Sequence, residues 1–219
     1  RLHNTIIVMR SVEIGEPIAR HITIPWENNS LPRSSTVHFL PSMTPLPPFT
    51  VFDVETTGLD PRKGHRIVEI AAVRIENGVI LYDQSFEVLV NPERAIPWEA
   101  KSVNKIDDAM VARSPTIDKV LPEFLHYAQG SILVAHNAEF DMGFLRCEKE
   151  FCWGYIDLPE YLCTMKLSQS LFPHEFRHDL DALALRLGLK FPLSRHRALP
   201  DVFLAAEALR GQLMLGLSD

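Results

Sequence analysis

The chain has 219 residues, a formal net charge of −6, 46% hydrophobic and 23% charged residues. That is enough to bury a sizeable core in one domain plus an appendage. The acidic balance, with a pI near 5.8, excludes a protein that grips duplex nucleic acid by bulk electrostatics, a mode that needs many Lys and Arg to displace counterions. It is compatible with clustered carboxylates that hold cations, since a bound ion then supplies the positive charge. Cys147, Cys152 and Cys163 form no Cys-x-x-Cys pair, so neither a disulfide framework nor a structural zinc site is expected. No apolar run approaches the roughly 20 residues that span a bilayer, and the expectation is a cytoplasmic protein with no membrane partner.

In chain order, residues 5–9 and 18–24 have short β-like character around Gly15-Glu16-Pro17. They are too small for a core of their own. Residues 1–40 therefore read as an appendage. Residues 41–48, with Pro41, Pro45, Pro47 and Pro48, read as a linker, because proline can neither continue a helix nor donate to a central ladder. The main domain is expected over residues 49–219. It opens with a strand at 50–54, then β-rich runs at 66–76 and 79–90 joined by Asn77-Gly78. Both residues of that pair accept positive φ, so a hairpin is predicted. Helical spacing follows at 117–128, a buried strand at 132–135, and a helix at 138–151. Further helices are predicted at 164–171, 180–187 and 200–215, the second closed by Gly188. Strands first, then alternating helix and strand, predicts an α/β architecture: a mixed sheet flanked by helices.

Three constellations carry chemistry. Asp53-Val54-Glu55-Thr56-Thr57-Gly58-Leu59 ends the first strand, where alternation projects both carboxylates to one side. Buried there, they need a cation or many hydrogen bonds; on an edge strand they would be plain surface charges. Gly58 lets backbone approach a ligand closely. His136-Asn137-Ala138-Glu139-Phe140-Asp141 follows the strand at 132–135. It places Asn137 as an N-cap and Asp141 one turn into the helix, near the strand ends where open α/β sheets place their sites. His196-Arg197-Ala198-Leu199-Pro200-Asp201 leads into the last helix. Proline suits a helix's first turn and biases the residue before it away from helix. The helix is accordingly predicted to start near Pro200, with His196 on a loop and Asp201 in the first turn.

Together and in this order, Asp-x-Glu-Thr-Thr-Gly, His-Asn-x-x-Phe-Asp and His-x-Ala-x-x-Asp make the chain resemble the DEDDh branch of the DEDD exonucleases. This is the DnaQ-like group that includes the epsilon proofreading subunit of bacterial replicative polymerase. The resemblance covers about residues 49–215. It implies a ribonuclease-H-like fold with a mixed five-stranded sheet flanked by helices. It makes Asp53, Glu55, Asp141 and Asp201 the metal-binding carboxylates, holding two Mg²⁺ or Mn²⁺ ions, and His196 the general base. Physical chemistry fits these roles. Two metals about 3.5–4 Å apart stabilise both attacking and leaving oxygens of a phosphodiester. Hard oxygen ligands select Mg²⁺ or Mn²⁺ over zinc, and a histidine with a reference pKa near 6.5 can take a proton from water at neutral pH.

The resemblance also implies that the backbone and hydroxyls of Thr56 and Thr57, with Gly58, contact the terminal nucleotide and that Leu59 wedges against the last base. It puts Glu69 near the terminal sugar, with an outward strand charge as the alternative. Asn137 either orients the substrate strand or caps its helix, and His136 orders the neighbouring turn. The implied activity is 3′-5′ removal of nucleoside monophosphates from single-stranded DNA, in proofreading or repair. The alternatives are trimming of RNA 3′ ends and an inactive polymerase-accessory module. Implied partners are the strand's 3′ end and a polymerase. A sliding clamp is a further candidate from residues 212–217, which resemble clamp-docking peptides without their terminal aromatic and otherwise read as the apolar face of a closing helix. The sequence departs from the family at Asn104-Lys105-Ile106-Asp107, where His-Gly-Ile-Thr is common, and at Cys163-Thr164, where Asp-Thr is common. Residues 1–48 have no counterpart in the family domain.

Overall fold

A computed structural model describes residues 5–10, 18–23, 46–152, 156–192 and 196–216, the first two stretches as backbone. Strands β1 (Thr5–Arg10) and β2 (Ile18–Thr23) pair antiparallel. Most of the expected linker lies outside the described residues. After it come β3 (Phe49–Thr56), β4 (Ile67–Glu76), β5 (Val79–Ile80) and β6 (Phe86–Leu89). Helices α1 (Trp98–Asn104), α2 (Asp108–Val111) and α3 (Ile117–Tyr127) precede β7 (Ile132–Ala135), α4 (Ala138–Glu148) and β8 (Tyr161–Cys163). Helices α5 (Thr164–Leu171), α6 (Leu180–Arg186) and α7 (Ala198–Gly216) complete the described chain.

The sheet runs β2-β1-β8-β7-β3-β4-β5, with β6 also paired to β4. It is mixed: β3 lies antiparallel to β4 and parallel to β7, which is parallel to β8. The expected α/β layering is present, but the described residues after the first pair form six strands rather than five, and β1 adds that pair to the edge through Met9 and Tyr161. The run at 79–90 is not continuous. A 3-10 turn at Tyr82–Gln84 divides it, and both halves pair with β4. Asn77 and Gly78 do form the tight hairpin turn, at φ 51 and φ 78, as a two-residue connection between Glu76 and Val79 requires.

Two apolar layers sandwich the sheet. Alternation in β3 sends Phe52 and Val54 to one side, against Leu121 and Phe124 of α3 and Phe144 and Leu145 of α4. Phe49 and Val51 go to the other, against Val202, Ala205, Ala206 and Leu209 of α7. Each of the larger side chains removed from water contributes roughly 1.5–3 kcal/mol, and each alanine less. Helix α7 therefore lies across the β3 and β4 face that also bears Asp53 and Glu55. No described helix is long and apolar enough to cross a membrane.

Candidate active site

Asp53 and Glu55 alternate with buried residues at the end of β3 and are both half-buried on the α7 face. The register with β4 slips between Glu55 and Thr56, which pair with Glu69 and Ile67. Such a bulge bends a strand and re-aims its side chains. Beyond it, Thr57 closes the strand end: its N–H donates to Arg66 O (2.8 Å), and its hydroxyl accepts from Arg66 N (3.0 Å) and contacts His65 Nδ1 (3.3 Å). The Thr56 hydroxyl donates to Gly58 O (2.6 Å). Both hydroxyls expected to meet a nucleotide are thus engaged inside the turn. Gly58 has a reason of its own, because a Cβ there would stand 2.3 Å from the His65 ring. Leu59 is 84% exposed at the turn's tip.

Helix α7 begins at Ala198, two residues before the predicted start. Proline's missing N–H is harmless anywhere in the first turn, where no intrahelical acceptor exists, so Pro200 fits as the third helical residue. Asp201 still falls in that first turn. Carboxylate oxygens of Asp53, Glu55 and Asp201 all lie within 4.8 Å of one another. Asp141 enters from the first turn of α4, is buried, and accepts from Val54 N (3.2 Å). It stands beside this group of three rather than within it.

At 4.8 Å, two full negative charges repel by roughly 3 kcal/mol in an effective dielectric of about 20. The acids respond accordingly. Burial first, then Asp141, Glu55, Asp201 and Glu69, holds Asp53 well above the usual carboxylate range. Burial, Glu69 and Asp201 push Glu55 up to about 7 against a hydrogen bond from Asn104 and the charge of Arg197. Burial also raises Asp141, opposed by the Val54 N–H. Hard oxygens gathered in one half-buried place, reluctant to ionise together, fit a divalent cation bound to the ionised form.

His196 is exposed and sits at φ 62 just before Arg197. A non-glycine residue in that region costs of order 1–3 kcal/mol and must be held there by its surroundings. Asn137 occupies the N-cap position of α4, but at φ 63, with no side-chain capping bond; it is exposed. Its amide is therefore not consumed by the helix, and asparagine tolerates the left-handed region better than most residues. His136 Nδ1 bonds Thr164 Oγ1 (2.9 Å), tying the end of β7 to α5.

Glu69 is no outward charge. It is 0% exposed, and its oxygens meet Arg197 Nε (3.0 Å), Arg197 Nη2 (2.5 Å) and Ala198 N (3.0 Å). Asn104 was missed in the sequence as anything but a departure from pattern. It is buried, donates to Thr56 O (3.2 Å), accepts from Ile106 N (3.1 Å), and opposes the upward shift of the Glu55 pKa. A side-chain amide can donate and accept at once in this way. Its place as the last residue of the short helix α1 is what brings it to the end of β3.

Comparison with known proteins gives a consistent result. Residues 50–209 match the exonuclease family model RNase_T. The chain is 47% identical over 161 residues to a DNA polymerase III subunit epsilon-like protein of Rhodobacter capsulatus, covering 73% of this chain and 23% of that protein. It is 37% identical over 162 residues to DNA polymerase III subunit epsilon of Rickettsia conorii, covering 72% of this chain and 70% of that one. The chain spans only 11% to 26% of the length of several other curated relatives, PolC-type polymerases among them. Among solved structures, exonuclease X in complex with 5′ overhanging duplex DNA is 33% identical at a TM-score of 0.62, over 76% of this chain and 91% of that one. The nuclease domain of 3′hExo, a DEDDh family member bound to rAMP, shares the fold at a TM-score of 0.67 and 18% identity, over 76% and 92% of the two chains.

Proposed function

Since the chain belongs to the exonuclease family of the DEDDh, DnaQ-like type, we propose that it is a 3′-5′ exonuclease. It uses two Mg²⁺ or Mn²⁺ ions, acts on single-stranded DNA ends and releases nucleoside monophosphates. The observation that carries this reading is the group of Asp53, Glu55 and Asp201 oxygens within 4.8 Å, with buried Asp141 beside it.

In this reading Asp53, Glu55, Asp201 and Asp141 hold the metal, which when bound supplies a Lewis acid for the phosphodiester and for the attacking water. His196 accepts the proton of that water, from a position where exposure lets its ring reach the scissile bond. Leu59, exposed at the tip of the turn, packs against the last base, while the Thr56-Thr57-Gly58 backbone supports it. With both threonine hydroxyls, the Thr57 N–H and the Thr56 and Gly58 carbonyls engaged inside the fold, contacts from this segment to the terminal nucleotide fall to the Gly58 and Leu59 N–H groups. Exposed Asn137 orients the strand. Work on 3′ ends left by a polymerase, in proofreading or repair, is the biological setting that the epsilon-like relatives favour, with a polymerase as partner.

The test is digestion of 5′-labelled and 3′-labelled single-stranded DNA, with matched RNA, in Mg²⁺ or Mn²⁺ and with EDTA as control. A ladder shortened from the 3′ end, mononucleotide products and silence in EDTA are expected. Shortening from the 5′ end, or metal-independent cleavage, would overturn the reading. Faster digestion of RNA would transfer the substrate label to RNA.

A further inference from the structure

We infer that Glu69 and Arg197 form a latch that positions His196 against the Asp53, Glu55 and Asp201 group; the inference rests on the exonuclease reading above. One buried carboxylate of β4 grips two consecutive residues, Arg197 just before α7 and Ala198 at its start. Arg197 bonds it through Nε (3.0 Å) and Nη2 (2.5 Å), and the N–H of Ala198 donates to Oε2 (3.0 Å). These are the two residues that follow His196. A planar guanidinium fork fixes both position and direction, which an apolar contact does not. The Ala198 N–H is one of the first-turn donors that a helix cannot satisfy itself, and a carboxylate at that end is favoured by the helix dipole.

Three further features make this a device for the site rather than a chance ion pair. First, Glu69 stands directly opposite Glu55 in the β3 and β4 register. The rung that presents a candidate metal ligand thus also anchors the histidine segment, and the sheet sets their relative place. Second, Asp201 follows Arg197 by one helical turn, its N–H directed at Arg197 O (3.4 Å), so the histidine segment leads directly into the turn that carries the third acid, while the packing of α7 on β3 and β4 holds that acid in place by itself. Third, His196 at φ 62 is a strained conformation that persists only where neighbours impose it. With its oxygens turned to Arg197 and Ala198, Glu69 is a positioning residue and not a ligand of the terminal sugar.

Glu69→Gln and Arg197→Lys preserve size while breaking the charged fork. Each is expected to lower kcat about tenfold to a hundredfold, the range that a small misplacement of a reacting group produces, with KM for a single-stranded oligonucleotide nearly unchanged. In a His196→Ala background the Glu69→Gln change should cost less than about twofold, because the effect travels through the imidazole. The imidazole NMR signal of His196, assigned by its loss in His196→Ala, should shift in Glu69→Gln without substrate present, while circular dichroism stays as in the wild type. Wild-type kcat in both latch variants, equal losses in the two backgrounds, or an unmoved His196 signal would overturn the latch. If Glu69→Gln does not fold, Arg197→Lys decides by the same three readings. A wild-type protein without nuclease activity would sink the exonuclease reading instead, and the NMR comparison would still decide the latch.

Discussion

Around the end of β3, the fold treats two sets of acids in opposite ways. Glu69 and Glu148 are each gripped by an arginine fork and a backbone N–H. For Glu148 these are Arg66, at 2.9 to 3.0 Å, and Ile67 N at 3.0 Å. The Arg66 guanidinium in turn lies 3.9 Å from the centre of the Phe151 ring. Asp53 and Glu55 have no such cation in ion-pair contact among the described residues, and with Asp201 they are packed where they repel. Compensated acids of the first kind hold elements together, α4 to β4 and α7 to β4. Asp53 and Glu55, without an arginine fork among the described residues, repel one another in the metal-free fold and are what a cation would stabilise. The contrast supports the proposed assignment of Asp53 and Glu55 to the chemistry, independently of sequence likeness.

The comparison breaks most visibly at Asp53. Asp53→Ala should reduce 3′ nucleotide release by on the order of 10³-fold or more, because oriented electrostatic groups of this kind carry most of the rate. The same variant should melt at or above the wild-type temperature without metal, since a repelling charge is removed. Full activity in purified Asp53→Ala protein would end the proposed mechanism.

His196→Ala separates acid from base. A rate loss of about 10²- to 10⁴-fold is expected for a lost proton acceptor, while calorimetric Mn²⁺ binding should match the wild type. Lost metal binding would instead place the histidine among the ligands.

On the compensated side, Glu148→Ala should destabilise the fold by about 3–5 kcal/mol, the usual effect of leaving one partner of a buried pair behind. Denaturant unfolding measures this. Activity of the protein that remains folded should be close to wild type, and an activity loss without a stability loss would erase the distinction between the two sets.

The smallest expected effect is on pH dependence. Glu55 is raised from 4.5 to about 7, so between those values the folded state binds more protons than the unfolded state, and stability falls as pH rises. Metal-free protein should therefore lose a few degrees of thermal midpoint between pH 5 and pH 8 relative to Glu55→Gln, and Mg²⁺ or Mn²⁺ should remove the difference at pH 8. A rise with pH in that comparison would contradict the charge crowding.

Much of this was legible in the chain. The Asn77-Gly78 turn, the strand at 132–135, the helix at 164–171 and the same-side projection of Asp53 and Glu55 follow from local rules, because turn residues and periodicity act within a few positions. Local rules had less to say where elements are short or depend on others. Strand β8 has three residues and α2 has four, too few to show a period. The 79–90 run looks continuous until Tyr82–Gln84 turns it.

The sequence by itself determined the family, the layered α/β architecture and the identity of the candidate acids, since residue type and order suffice for those. Only the tertiary structure decided how each acid is used. It brought Asp201 to Asp53 and Glu55 across more than a hundred residues, left Asp141 beside them, and turned Glu69 from a candidate sugar contact into the anchor of Arg197. It also set Asn104 behind Glu55 and occupied the threonine hydroxyls. The reason is physical. Whether a carboxylate meets an arginine, an amide or another carboxylate depends on which distant element packs over it, and that choice belongs to the fold's cores and register rather than to any local pattern.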